Sequence, residues 1–190
     1  MGELNSDLVH IVGHRELLSL DSRCRFRLPD EVARKLERET GRVAGHSDLP
    51  PTAFERLSFY FVPGTNDRLF LYPAPNIKVA IDRFENPPPG QDPALLRAAR
   101  DYFYGMMCFL EADRQNRLQI PEHLREHAGI EGAEDHVVLV CHNLWLTVVK
   151  GSAAKQLDIT GREALEHVGP SVLDPVDTAQ QPSTQDSGEQ

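Results

Sequence analysis

Disulfide frameworks, membrane spans and the common catalytic loops are what this sequence lacks. Only three cysteines are present, Cys24, Cys108 and Cys141, and no two form a Cys-x-x-Cys pair. An odd count without that spacing argues against a disulfide framework and makes a reducing, cytoplasmic location the expectation. No apolar run approaches the roughly 18 residues of a bilayer-crossing helix, so no membrane partner is expected. The first residues, Met1-Gly2-Glu3-Leu4-Asn5, lack a basic start and a long apolar segment, so no secretory leader is expected either. Gly-x-Ser-x-Gly, Walker and His-Glu-x-x-His patterns are missing, so the expectation is a protein without catalytic residues, metal ligands or cofactor. Basic residues are missing from 171–190, which carry Asp174, Asp177, Asp186 and Glu189. That stretch is rich in Gln, Ser, Thr, Asp and Pro and has little to bury, so disorder is expected from about residue 171.

What is present suits one domain or two small, intimately packed ones: 190 residues, 40% of them hydrophobic, are enough to bury a core. The net charge of −9 argues against a simple polyanion binder. Four of those charges belong to the tail, which leaves −5 for the rest. A local basic cluster stands out against this background: His14-Arg15 with Arg23, Arg25 and Arg27, set against Glu16 and Asp21. Three consecutive prolines, Pro87-Pro88-Pro89, stiffen the stretch 85–93 and mark it as a linker between two pieces of similar size.

Those pieces resemble one another. Shifting the chain by 92 residues places Gly13 on Gly105, Leu18 on Leu110, Asp21 on Asp113, Arg25 on Arg117 and Pro29 on Pro121. Leu17/Phe109, Phe26/Leu118, Leu28/Ile120, Asp30/Glu122 and Val32/Leu124 are chemically similar pairs in the same register. Matches at ten of the twenty positions from 13 to 32, without a gap, point to duplication.

Each copy reads as an apolar stretch, an Asp-x-x-x-Arg turn and a short strand, Arg25–Leu28 or Arg117–Ile120. A helix opened by proline follows, over about Asp30–Thr40 with Gly41 as its cap, or Glu122–Ala128 closed by Gly129. Two strands complete each copy: Phe59–Val62 and Leu69–Tyr72, then Val137–Val140 and Leu144–Thr147. The stretch 43–55 reads as a loop, and further helices are expected over Pro93–Phe103 and Ala153–Leu157.

Within each turn, Asp21 or Asp113 accepts backbone N–H bonds two residues on and so shapes the loop. The fourth position calls for positive φ, which suits Asn116 and costs Cys24 roughly 1–2 kcal/mol. One reading makes each turn structural, an Asp–Arg pair. The other presents arginine to phosphate, where its planar fork binds bidentately. Among other candidates, Glu122-His123 with Glu126-His127 could be imagined as a metal face, but a solvated helix face is the expected reading. Tyr102-Phe103-Tyr104 with Met106-Met107 is expected to be core or an oligomer interface.

Three blocks carry a resemblance: Gly13 and Leu20-Asp21-Ser22-Arg23-Cys24-Arg25-Phe26-Arg27-Leu28-Pro29; Leu69-Phe70-Leu71-Tyr72-Pro73; and, most strongly, Asp113 to Gly129. The chain resembles the MraZ family of bacterial transcriptional regulators over roughly residues 10 to 157. The resemblance implies an α+β fold. In it, duplicated swapped-hairpin, AbrB/SpoVT-like half-barrels form one pseudo-symmetric β-barrel unit with short helices. The first repeat would span 10–84, the linker 85–93, the second repeat with its preceding helix 94–157, and a C-terminal segment 158–190. It further implies a sequence-specific DNA-binding regulator, nucleoid-associated in the cytoplasm, acting as a homo-oligomeric ring on repeated promoter sites of double-stranded DNA. Arg15, Arg23, Arg25, Arg27, Arg114 and Arg117 are the expected DNA contacts, copy one being the richer in arginine; Asp21, Asp113 and Asn116 are the expected turn-shaping residues. The rival expectations are a relative that keeps the ring but no longer binds DNA and serves as a scaffold, and a small hydrolase or metal protein.

Overall fold

A computed structural model describes residues 8–11, 13–43, 56–156, 158, 159 and 163. Of the expected loop over 43–55, Val43 belongs to a helix and 44–55 lie outside the described residues, as does the expected disorder from 171. The chain divides into two compact units, Met1–Ala154 and Lys155–Gln190. In the second, residues 155, 156, 158, 159 and 163 are helical.

The first unit is α+β. Its strands are β1 (His14–Ser19), β2 (Arg25–Arg27), β3 (Ser58–Pro63), β4 (Arg68–Pro73), β5 (Cys108–Glu111), β6 (Arg117–Gln119), β7 (His136–Cys141) and β8 (Leu146–Lys150). Its helices are α1 (Asp30–Val43), α2 (Ile77–Glu85), α3 (Pro93–Met106) and α4 (Glu122–His127). Every strand pair is antiparallel. Six strands form one sheet in the order β1-β7-β8-β4-β3-β5, and β2 pairs with β6 in a second.

The duplication is written into this order. Exchanging each strand with its counterpart in the other copy turns the six-stranded sequence into its own reverse. β1 of copy one therefore lies against β7 of copy two, from His14 opposite Cys141 to Ser19 opposite His136. β5 of copy two lies against β3 of copy one, with Phe59 opposite Leu110. The pseudo-twofold passes through the small sheet, where Phe26 faces its own counterpart Leu118 and both are fully buried. The barrel expectation is corrected in one respect. The order ends at β1 and β5, and no pairing among the described residues joins those ends, so the sheet is not closed by hydrogen bonds.

Alternation along the strands fills both faces of the sheet. One face carries Phe59, Phe61, Leu69, Leu71, Leu139 and Val148, packed with Phe26, Leu118, Leu36 of α1 and Leu124 of α4. At β3 and β4 the opposite face carries Val62, Phe70 and Tyr72, which meet Ala80 and Phe84 of α2 and Phe103 of α3.

Three local expectations need correction. α1 continues through Gly41 to Val43, and Gly41 is buried within the helix; a helical glycine costs about 1 kcal/mol but does not end the helix. β8 begins at Leu146, because His142 N–H donates to the Trp145 carbonyl (2.9 Å) and makes residues 142–145 the turn. α2 had no counterpart in the sequence reading. Gly129, by contrast, has φ of 61° and closes α4 as expected, the Ile130 N–H donating to the Arg125 carbonyl at 2.9 Å.

Candidate nucleic-acid interface

The two Asp-x-x-x-Arg segments form the same object twice. Asp21 Oδ1 accepts from the backbone N–H groups of Arg23 (2.9 Å) and Arg25 (3.0 Å), while Oδ2 accepts from Arg25 Nε at 2.8 Å. Asp113 Oδ1 accepts from the N–H groups of Gln115 (2.8 Å) and Arg117 (3.0 Å), and Oδ2 from Arg117 Nε at 2.7 Å. A second guanidinium nitrogen, Nη2, reaches the same Oδ2 at 2.7 Å in each copy, so one carboxylate oxygen takes two guanidinium N–H groups while the other serves the backbone. The fourth turn residues, Cys24 (φ 54°) and Asn116 (φ 56°), both adopt the left-handed conformation.

The turns are bolted across the copies. Leu28 N–H donates to the Asn116 carbonyl (2.8 Å), and Ile120 N–H donates to the Cys24 carbonyl (3.1 Å). Arg25 Nη1 also lies 3.6 Å from Asp113 Oδ2, which links the first pair to the second carboxylate. Cys24 is buried, and its Sγ accepts from Arg125 Nη1 at 3.4 Å.

Hydrogen bonding holds both carboxyls low. The Arg25 side chain is the main cause for Asp21, whose pKa falls from 3.8 to about 2 against a smaller opposing push from burial. At Asp113 burial is the largest single influence and raises the pKa, but hydrogen bonds from the backbone and side chain of Arg117 and from the Gln115 backbone together bring it to about 2. At neutral pH the four groups form an ionised cluster in which charges of opposite sign cancel.

This geometry sorts the six arginines into two sets. Arg25 and Arg117 are half-buried and committed to their carboxylates. Arg23 and Arg114 are exposed on the turns, and Arg15 is exposed on β1 opposite Val140. Arg27 is 62% exposed and bonded to Asp30 at 2.6 Å. The β2–β6 pairing sets Arg27 opposite Arg117 and Arg25 opposite Gln119.

Two groups of basic residues were not singled out in the sequence. Arg56 joins Arg114, Gln115, Arg117 and Asp113 around a shallow depression of about 380 Å³. Arg34, Lys35 and Arg38 of α1, with Glu31, line another of about 580 Å³. The four-residue spacing of Arg34 and Arg38 was the available signal, since it puts both on one helical face. The imagined metal face on α4 is occupied otherwise: His123 Nε2 meets the Met106 carbonyl (3.2 Å), and His127 bridges Tyr102 and Gly64. No helix among the described residues is long and apolar enough to cross a membrane.

No protein-family model matches the chain. Over 127 residues, 65% of this chain and 87% of its relative, it is 30% identical to the transcriptional regulator MraZ of Caldanaerobacter subterraneus subsp. tengcongensis.

Proposed function

Because the chain belongs to the MraZ family, we propose that it is a sequence-specific, DNA-binding transcriptional regulator. It works as a homo-oligomeric ring on repeated promoter sites of double-stranded DNA, in the cytoplasm and at the nucleoid. The observation that carries this reading is the pairing of the two Asp-x-x-x-Arg turns across the copies, with Arg23, Arg27 and Arg114 exposed around them. Asp21 and Asp113 shape the turns, with Asn116 in the left-handed position of the second. Arg25 and Arg117 hold the turns in place at the DNA-facing surface, while Arg15, Arg23, Arg27 and Arg114 reach phosphate and base edges. The exchange of β1 and β5 between copies supports a swapped-hairpin unit of the AbrB/SpoVT type, built from repeats at 10–84 and 94–157 around the linker 85–93. In a ring, weak interactions at successive repeats add by avidity.

A gel-shift titration against DNA from upstream of the protein's own gene, at several salt concentrations, tests this. Binding weakens as salt rises because each neutralised phosphate releases counterions. The double variant Arg23→Ala/Arg27→Ala stays folded, binds more weakly and has a shallower salt slope, by about 0.9 for each phosphate no longer neutralised. Parent-like binding by that variant would place the DNA-binding surface elsewhere. A second reading, a ring scaffold that no longer binds DNA, is favoured by the net charge of −9 and by the commitment of Arg25 and Arg117 to carboxylates. It takes over if the parent shows no salt-sensitive binding.

A further inference from the structure

On the sheet face opposite α1 and α4, the second core is incompletely filled. A cavity of about 300 Å³ lies between the β3–β4 hairpin, α2 and α3. Phe70, Tyr72, Phe84, Tyr102 and Phe103 make its walls, and the Arg83 guanidinium stands at its lining. Small residues leave the space open: Ala80 comes from α2, Ala99 from α3 and Gly64 from the hairpin turn.

The walls are held from outside. The Phe84 and Phe103 rings pack at a tilt of 46° with centroids 4.7 Å apart. Tyr102 Oη bonds to His127 Nδ1 (2.9 Å), and His127 Nε2 bonds to the Gly64 carbonyl (3.0 Å), which ties α3, α4 and the hairpin turn together at this cavity. Gly64 has no room for a side chain, since a Cβ there would meet Arg68 O and the Phe70 ring at 3.0 Å. Arg83 lies 5.5 Å from the Trp145 ring centroid. Among the described residues no carboxylate pairs with it. The space is thus apolar and aromatic with one cation at its wall. Nothing in the arginine turns uses it.

We propose that this cavity is a binding site for a small apolar carboxylate, an aromatic or medium-chain acid whose hydrocarbon lies among Phe70, Tyr72, Phe84 and Phe103 and whose carboxylate meets Arg83. Its volume falls at the lower end of small-molecule sites, and a few convergent polar groups in an apolar cleft are the usual arrangement there. The guanidinium fork matches a carboxylate bidentately, and Arg83 presents it at the exposed mouth of the cleft.

The sole tryptophan, Trp145, packs against Phe70 and Tyr72 and reports on the site. Octanoate, octanol and octyltrimethylammonium are titrated into the full-length protein. Trp145 fluorescence and calorimetry follow binding, and light scattering follows the mass. Octanoate binds saturably, octanol at least tenfold more weakly, and the ammonium compound not at all, with the mass unchanged. Arg83→Gln weakens octanoate tenfold or more and leaves octanol as it was. Ala99→Phe fills the cavity from α3 and abolishes both, and circular dichroism establishes that each variant is folded. The proposal is overturned by the absence of saturable octanoate binding, by equal binding of anion and cation, or by an Arg83→Gln variant that binds as the parent does. A mass that changes with octanoate also overturns it, by showing that a second copy occupies the cavity.

Discussion

Asn76 is fully buried, and its side chain clasps three backbone groups. Its Oδ1 accepts from Val9 N–H (2.8 Å), and its Nδ2 donates to the carbonyls of Val9 (2.7 Å) and Leu144 (2.9 Å). Truncation would strand those groups away from water, so Asn76→Ala should cost about 2–4 kcal/mol in urea unfolding. A loss below about 1 kcal/mol would mean that water replaces the amide. Residue 116 allows a cleaner test, because its φ of 56° excludes a β-branched side chain. Asn116→Val should destabilise by about 1–2 kcal/mol and Asn116→Gly should not, measured by thermal melting. The left-handed position was legible, since an Asp four residues before an Arg in both copies demands a tight turn. The clasp was not: Asn76 is polar in an apolar setting, and its partners lie 67 and 68 residues away in sequence.

Elements with a local signature were the readable ones. Pro93 after a capping Asp92, whose carboxylate accepts from Ala94 N–H at 2.8 Å, announces α3. α2 had a signature too, apolar residues at 77, 80, 81 and 84, but the prolines at 73 and 75 obscure it. Edge strands are a different matter, because exposure there depends on what does not pair. Leu17 on β1 and Phe109 on β5 are counterparts under the 92-residue shift, and they remain 60% and 50% exposed. Apolar side chains on the two open ends of a sheet invite association with further copies. The parent should therefore scatter light as an assembly larger than a dimer, and Leu17→Asp with Phe109→Asp should lower that mass while the far-ultraviolet spectrum is kept. An unchanged mass would move the subunit interface away from these strands.

At the scale of the molecule the two turns act as an acid-labile fastening between copies. Asp21 and Asp113 titrate near 2 in the folded chain rather than at 3.8, so their contribution is complete above about pH 4 and disappears as pH falls towards 2. The melting temperature should fall through that window in the parent. In Asp21→Asn/Asp113→Asn the fall should be flatter, with the two curves converging near pH 2; parallel curves would show that other carboxylates govern acid unfolding. The 92-residue register made the duplication readable, whereas the exchange of strands between copies has no local mark in residues 14–19 or 108–111. That exchange also bears on how the protein is made. Ser19 finds its place beside His136 and His14 beside Cys141. A ribosome adding about 5–20 residues per second needs roughly 6–25 s to travel that far along the message. Until then the first strand has been synthesised but has nothing to lie against, so the N-terminal copy cannot reach its native pairing before nearly all of the C-terminal copy has emerged.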